Sequence, residues 1–175
     1  MWDAQNREWV DFTLGLGPII LGYQDPEVEQ SVRLALSDGP IFSMPYQLEV
    51  AIAEMLTEVI PCAEMVKYGL SGSDATSGAI RCARAFTGKD LVVSQGYHGW
   101  HDWCCPNRTG VVSDLFTITT NDWRDEKQWG NRLAAIIVEP EYAQDLIGLR
   151  KFCTANGIVL IFDEVLTGFR IALGG

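Results

Sequence analysis

Two adjacent carboxylates, Asp163 and Glu164, directly follow a short apolar run at residues 158–162. The run contains five large apolar residues, which is too short for a membrane span and typical of a strand buried on both faces of a parallel sheet. In open α/β sheets, ligands bind just beyond the carboxyl ends of the strands. Because an unpaired buried carboxylate is costly, Asp163 predicts a metal, an arginine or a protonated ring nitrogen of a bound cofactor beside it. A surface aspartate at a strand exit is the alternative.

Small and hydroxyl-bearing residues fill positions 71–76, Ser-Gly-Ser-Asp-Ala-Thr, between a predicted strand and a predicted helix. Backbone N–H groups at such a turn can approach an anion closely, and the helix dipole favours negative charge there. The segment therefore predicts a phosphate site, with ordinary helix capping as the alternative. It is neither a Walker loop, which needs a lysine, nor a nucleophile elbow, which needs a second glycine.

An aromatic loop, Gly-Tyr-His-Gly-Trp at residues 96–100, follows another predicted strand. A tyrosine between glycines at a strand exit is suited to stacking on a flat ligand, and an aromatic loop packed against its own domain is the alternative. The two histidines and two cysteines of this region do not have the spacing of a closed tetrahedral zinc site. The sequence therefore predicts no metal here.

The three features together are more specific than any one of them. A phosphate cradle, an aromatic platform and a carboxylate each follow a predicted strand of one sheet. A phosphorylated aromatic cation, held at its phosphate, ring face and ring nitrogen, would satisfy all three. Pyridoxal 5′-phosphate (PLP) is such a ligand, because it acts as an electron sink when an aspartate keeps its pyridine nitrogen protonated.

Strand and helix signals alternate along the chain without an internal repeat, which indicates an α/β architecture. A capping aspartate followed by proline predicts a helix over 25–36, and another helix begins near residue 45. Two further helices are predicted at 74–86 and 146–155. Strands or extended segments are predicted at 9–14, 19–21, 65–70, 91–94, 133–138 and 158–162. The segment 100–130 is predicted to be irregular.

Composition narrows the class of protein. The chain has 175 residues, enough for one domain with a sizeable core, and a net charge of −10 that argues against nucleic acids and anionic membranes as partners. No apolar run is long enough to span a bilayer, and the N-terminus lacks the layout of a secretory signal, so a cytoplasmic location is expected. The five irregularly spaced cysteines predict free thiols rather than a disulfide framework.

Several motifs, in order along the chain, carry a resemblance to a known family. The chain resembles the class III (fold type I) PLP-dependent aminotransferases, in particular the group similar to glutamate-1-semialdehyde aminomutase. The matching segments cover nearly the whole chain: DFTLGLGP at 11–18, LSGSDAT at 70–76, ARAFTG at 83–88, GYHG at 96–99, VEP at 138–140 and FDEVLTGFR at 162–170.

The resemblance implies an N-terminal segment with helices at 1–60 and part of the large PLP-binding domain at 61–175, a mostly parallel sheet flanked by helices. The family's small C-terminal domain would be absent from this chain. The family forms homodimers, and the loop at 39–45 would approach the active site of the second subunit. No nucleic acid and no membrane are expected as partners.

The resemblance also implies a role for individual residues. Gly72 and Ser73 would hold the PLP phosphate, and Asp163 would pair with the pyridine nitrogen. The remaining cofactor-binding residues would be Tyr97, stacked on one ring face with His98 beside it, Val165 on the opposite face, and Glu139, which would hold the polar network of the site.

The chain departs from the family in one feature that bears on chemistry. The family uses a Schiff-base lysine well downstream of the Asp-Glu-Val motif, whereas the four lysines here, Lys67, Lys89, Lys127 and Lys151, all precede Asp163. That lysine acts as general acid/base, a contribution of roughly 10²–10⁴-fold, so no catalytic residue is assigned. The segment 139–149 is also shorter than in relatives.

Two functions follow from this reading. In the first, the chain is the N-terminal portion of a class III aminotransferase or aminomutase, which moves an amino group between small-molecule donors and acceptors and needs further polypeptide for activity. In the second, it is a catalytically inactive domain that binds PLP or a partner. The substrate, and the choice between transfer and a 1,2 shift, do not follow from the sequence.

Overall fold

The computed structural model describes residues 1–105, 109–111, 117–120, 122–124 and 129–175. The chain forms two compact units, Met1–Glu58 and Val59–Gly175. No helix among the described residues is long and apolar enough to cross a membrane. Part of the segment predicted to be irregular, 106–108, 112–116, 121 and 125–128, lies outside the described residues.

The first unit contains helix α1 (Pro26–Asp38), and helix α2 (Gln47–Val59) begins in it. Helix α1 starts as predicted, because the Asp25 carboxylate accepts hydrogen bonds from the backbone N–H groups of Glu27 and Val28. Neither helix carries a buried residue. Their apolar side chains are therefore at most partly covered by the described part of the chain.

The extended segments predicted at 9–14 and 19–21 are not strands in the structure. The Asp11 carboxylate accepts hydrogen bonds from the backbone of Thr13 and Gly15 and from the Tyr23 hydroxyl, which curls the chain into turns. A hydrogen bond from the Thr13 hydroxyl, followed by those from the Tyr23 hydroxyl and the backbone, holds the pKa of Asp11 well below its usual range. The bond to Asp11 raises the pKa of Tyr23. Leu14 and Leu16 adopt positive φ, which no strand permits.

The second unit is built on a parallel sheet with strand order β2-β1-β3-β4. Its strands are β1 (Leu91–Gln95), β2 (Thr117–Thr119), β3 (Leu133–Val138) and β4 (Val159–Phe162). Helices α3 (Gly72–Thr87) and α4 (Leu146–Asn156) flank it, and short 3₁₀ turns lie at Gly130–Arg132 and Pro140–Tyr142. The predicted α/β fold is confirmed.

The two helices of this unit cover opposite faces of the sheet. Alternate side chains of a strand point to opposite faces, and along β1 they join two different apolar clusters. Val93 packs in one cluster with Leu149 of α4, whereas Val92 packs in the other with Ile80 of α3. Strands β1 and β3 are fully buried between the two layers.

Three strand predictions need correction. Residues 65–70 form no strand, since no neighbouring strand pairs with them among the described residues. Strand β2 was not predicted, because three residues are too few to show a period. Strand β4 forms as predicted, but it is only partly buried and Phe162 is exposed, since β3 is its one partner in the described sheet.

Candidate functional site

The carboxyl ends of β1, β3 and β4 lie at one edge of the sheet, and the predicted site residues follow them. The ladder continues one step beyond the strands. The Glu139 N–H donates to the Gln95 carbonyl at 3.3 Å, and the Asp163 N–H donates to the Val138 carbonyl at 2.9 Å. Both acidic residues are thereby fixed at the sheet edge, and both are buried.

Asp163 is paired with His98 at this edge. The His98 Nδ1 lies 2.8 Å from Asp163 Oδ2, and its Nε2 lies 3.1 Å from the Gln95 carbonyl oxygen. A neutral imidazole carries only one N–H, so which of the two contacts it donates to depends on its tautomer. The second Asp163 oxygen accepts the Val165 N–H at 3.2 Å.

The partner that the structure gives Asp163 is none of those predicted. The sequence predicted a metal, an arginine or a ligand nitrogen, whereas the structure places a ring nitrogen of His98 beside the carboxylate. His98 was assigned to the aromatic loop but not paired with Asp163. The two residues are 65 positions apart, and only the strand order brings them together.

The predicted phosphate segment forms the N-terminus of α3. Ser71 caps the helix by accepting the Asp74 N–H at 3.2 Å. Among the described residues, the N–H groups of Gly72 and Ser73 have no hydrogen-bond acceptor, as expected for the first turn of a helix. Helix capping and an anion site are therefore both available in this one turn.

The aromatic loop packs directly on this helix turn. The Trp100 N–H points to Ser73 Oγ at 3.4 Å. Gly99 has φ +106°, and a Cβ built on it would overlap Ser73 Oγ and lie 2.9 Å from Ser73 Cβ. The close approach therefore requires glycine at position 99, both for its backbone conformation and for space.

The carboxylate loop reaches the same turn from the other side. A Cβ built on Gly72 would lie 3.0 Å from Val165 Cγ2, so Val165 covers this glycine. Together with the Asp163–His98 pair and the Gly99–Ser73 contact, this places the phosphate segment, the aromatic loop and the carboxylate loop at one location.

Glu139 holds the start of the aromatic loop. Its Oε2 accepts the Tyr97 N–H at 2.8 Å and lies against the Gly96 backbone, where a Cβ would overlap it. The Tyr97 side chain itself is 61% exposed, so its ring faces remain accessible. Contacts among the described residues thus link all seven predicted site residues: Gly72, Ser73, Tyr97, His98, Glu139, Asp163 and Val165.

Two residues that support the site were not predicted as part of it. The Thr76 hydroxyl donates to the His98 carbonyl at 2.9 Å, and the Gln95 carbonyl accepts from both His98 and Glu139. Thr76 was noted only as a possible phosphate donor. The Gln95 contacts are made by its backbone carbonyl, so the type of side chain at position 95 could not have predicted them.

Cys104, close to His98, is expected to be unreactive. Burial raises the pKa of the Cys104 thiol to about 11, and it does the same for Cys153. At pH 8 such a thiol is roughly 0.1% ionised, and the thiolate is the reactive form. At pH 8, iodoacetamide should therefore modify the exposed Cys62 and Cys82 at least tenfold faster than Cys104, as followed by peptide mass spectrometry. Modification of Cys104 should accelerate as the pH rises towards 11, and labelling of Cys104 as fast as Cys82 at pH 8 would contradict this.

Comparisons with known proteins identify the family. The model of the family described as aminotransferase class-III matches residues 1–110. Glutamate-1-semialdehyde 2,1-aminomutase of Syntrophobacter fumaroxidans is 36% identical over 207 residues, covering all of this chain and 48% of that protein. The same enzyme of Psychrobacter sp. is 35% identical with the same coverage. The chain thus spans about half the length of the curated relatives it matches.

Solved structures agree with the fold. The FumI protein of Sphingopyxis sp. MTA144, solved with PLP, matches with a TM-score of 0.88 and 28% identity over 98% of this chain and 46% of that one. An omega-transaminase from Sphaerobacter thermophilus matches with a TM-score of 0.88 and 30% identity over 99% of this chain and 48% of that one.

The parallel sheet, its two helical layers and the polar residues at its carboxyl edge define the PLP-binding architecture of fold type I. The chain belongs to the class III aminotransferase family. The cofactor of this family is PLP.

Proposed function

We propose that this chain forms the PLP-binding part of a class III aminotransferase or aminomutase. Residues 61–175 hold the cofactor, and the small-molecule amino donor and acceptor react there. The observation that carries the proposal is the buried Asp163–His98 pair beside the N-terminus of α3. A buried carboxylate with capacity for a further hydrogen bond, next to a helix turn with two free N–H groups, matches a ligand that is cationic at one end and anionic at the other.

The residues present fit the cofactor at each of its parts. The N–H groups of Gly72 and Ser73 and the Ser73 hydroxyl would bind the phosphate, where the helix dipole adds to their attraction. Asp163 would hold a proton on the pyridine nitrogen. The exposed Tyr97 ring would cover one face of the pyridine ring and Val165 the other.

The surrounding residues orient these groups. His98 holds the Asp163 carboxylate in place, and Glu139 holds the backbone of Tyr97. When bound, PLP supplies an electron sink for amino-group chemistry, which depends on a protonated ring nitrogen. The chain's own contribution is to bind the cofactor, to keep that proton on the ring nitrogen and to limit water at the ring faces.

We further infer that the lysine-dependent step is not carried out by Lys67, Lys89 or Lys151. The Lys89 ammonium lies 3.5 Å from the carbonyls of Asn156 and Gly157, which precede β4 at the opposite edge of the sheet. Lys67 and Lys151 are exposed and form no hydrogen bond or ion pair with a site residue in the described part of the chain, and Lys127 lies outside it. Amino-group transfer would then need a lysine from polypeptide that corresponds to the other half of the relatives, in a homodimeric assembly.

Binding of pyridoxamine 5′-phosphate (PMP) tests the proposed site. PMP has the ring and phosphate of PLP but cannot form imines with surface lysines. The 175-residue chain should bind PMP, measured by fluorescence titration, and inorganic phosphate should compete. Ser73→Ala should weaken both ligands about fivefold to tenfold, which corresponds to the net value of one ordinary hydrogen bond, roughly 1 kcal/mol.

Ser31→Ala is the matched control for this substitution. The Ser31 hydroxyl also lies on a helix, donates only to the Glu27 carbonyl, and is remote in sequence from the site. It should leave both affinities unchanged. A wild-type chain that binds neither PMP nor phosphate would refute the proposed function.

Complementation separates an enzyme portion from an inactive binding domain. Co-expression with the C-terminal half of the Syntrophobacter fumaroxidans relative should yield aminotransferase or aminomutase activity that the chain alone lacks. Borohydride reduction with PLP should then place the pyridoxyl group on a lysine of the added half. Tight PMP binding without any such activity would favour the inactive binding domain.

A further inference from the structure

Ser77 of α3 connects two residues that follow the aromatic loop, His101 and Trp103. Its Oγ lies 2.8 Å from Trp103 Nε1 and 2.7 Å from His101 Nδ1. The indole nitrogen is only a donor, so the Ser77 oxygen accepts from Trp103, whereas the direction of its contact with His101 depends on the tautomer of that ring. One hydroxyl group therefore contacts both side chains.

Trp103 connects Ser77 with His98 at the centre of the site. Its ring is buried and packs with Ile80 and Ala83 of α3. It also stacks on the His98 ring, with 6.3 Å between ring centroids and 9° between the planes. Since His98 pairs with Asp163, the orientation of the Trp103 ring bears on the position of the Asp163 carboxylate.

In the part of the chain that the structure describes, the Ser77 side chain forms no hydrogen bond with any of the seven residues proposed to surround the cofactor. Its neighbour Thr76 binds the His98 carbonyl, so consecutive residues of α3 hold the backbone and the packing partner of His98. The phosphate turn at 72–73 has a cap of its own, Ser71. The direct contacts of the Ser77 side chain thus lie on the ring half of the site.

We propose that Ser77 is a positioning residue for the cofactor ring, acting through Trp103 on the His98–Asp163 pair. The proposal rests on the function proposed above. Removing the hydroxyl leaves the buried Trp103 N–H without its acceptor, so the indole turns or shifts to find another. His98 and Asp163 then lose their fixed geometry towards the ring nitrogen, whereas the phosphate turn stays in place.

Titration of the full chain with two probes, PMP and inorganic phosphate, tests this role. Ser77→Ala should weaken PMP about fivefold to tenfold and phosphate less than twofold. The absorption band of bound PMP, which depends on protonation of the ring nitrogen, should shift towards that of the free ligand. Ser77→Thr retains the hydroxyl and should restore both readouts, and Ser31→Ala should change neither.

The outcomes separate this proposal from the one on which it rests. A wild-type chain that does not bind PMP refutes both. If the wild type binds PMP, an equal loss of PMP and phosphate affinity in Ser77→Ala, or no loss of either, overturns the positioning role alone. If Ser77→Ala does not fold by circular dichroism, Trp103→Phe is the second variant, because it removes the N–H contact and keeps a smaller aromatic ring against His98. It should show the same split between the two probes, and an equal effect on both would overturn the proposal.

Discussion

Replacing Asp163 by asparagine is expected to weaken PMP binding about 10- to 100-fold, because a charge-assisted hydrogen bond is worth roughly 1.5–3 kcal/mol. Asparagine has the shape of aspartate but no charge to hold a proton on the pyridine nitrogen. It also leaves the His98 ring without its carboxylate partner, 2.8 Å away in the wild type. Phosphate binding at the N-terminus of α3 should remain within twofold, since Asp163 has no part in that turn.

The same substitution should destabilise the fold. Both partners of the pair are buried, with side-chain exposures of 0% for His98 and 5% for Asp163. Leaving one of them without its partner costs about 1–3 kcal/mol. Urea unfolding followed by circular dichroism measures this loss, and an unchanged slope of free energy against denaturant would show that the native fold is retained.

Asp90→Asn is the matched control, because it removes the same charge from a different place. Asp90 pairs with Arg132 at 2.9 Å, but both side chains are about half exposed and lie at the amino ends of β1 and β3. Exposed pairs contribute about 0–1 kcal/mol, so the control should lose little stability and no PMP affinity. PMP affinity of folded Asp163→Asn within threefold of the wild type would show that the carboxylate does not face the cofactor ring.

Local sequence signals predicted most elements of the second unit. The capped start of α3, the apolar runs of β1 and β3, and the Asn-Gly end of α4 each depend on residues within a few positions of one another. Such signals predict the structure well because capping and local apolar patterns depend on neighbouring residues and not on distant ones. The segment 65–70 shows the limit, since an apolar run becomes a strand only when another strand pairs with it.

The site was predicted as a set of residues but not as a set of contacts. Phosphate turn, aromatic loop and carboxylate were each recognisable, because each needs particular residue types after a strand or before a helix. The pairing of His98 with Asp163 depends instead on the order β1-β3-β4, which no local pattern specifies. The contact of Gly99 with Ser73 likewise depends on how the loop after β1 packs on α3.

Gly99→Ala should be the most destabilising single substitution proposed for this protein. The positive φ of +106° costs an alanine about 1 kcal/mol, and overpacking of a tight contact adds about 1–3 kcal/mol. The new Cβ would overlap Ser73 Oγ and lie 3.1 Å from Ser73 Cα, so rotation of the serine side chain alone cannot relieve it. A loss of about 2–4 kcal/mol is expected in urea unfolding.

Gly22→Ala isolates the backbone contribution. Gly22 has nearly the same φ, +104°, but no atom lies within 4 Å of a Cβ built on it. It should therefore lose only about 1 kcal/mol. An equal loss in both variants would show that the aromatic loop does not press on the α3 turn as the structure has it.

Binding measurements test whether Gly99→Ala also disturbs the phosphate turn. The added methyl group displaces Ser73, so PMP and phosphate should weaken together, in contrast to the split expected for Ser77→Ala. Combining Gly99→Ala with Ser73→Gly removes the overlapping Oγ and Cβ atoms and should recover part of the lost stability. Residues 99 and 73 are in contact, so the changes in the free energy of unfolding caused by the two substitutions should be non-additive by about 0.5–3 kcal/mol. Additive losses would mean that the two residues do not meet, and the phosphate turn and the aromatic loop would then not belong to one site.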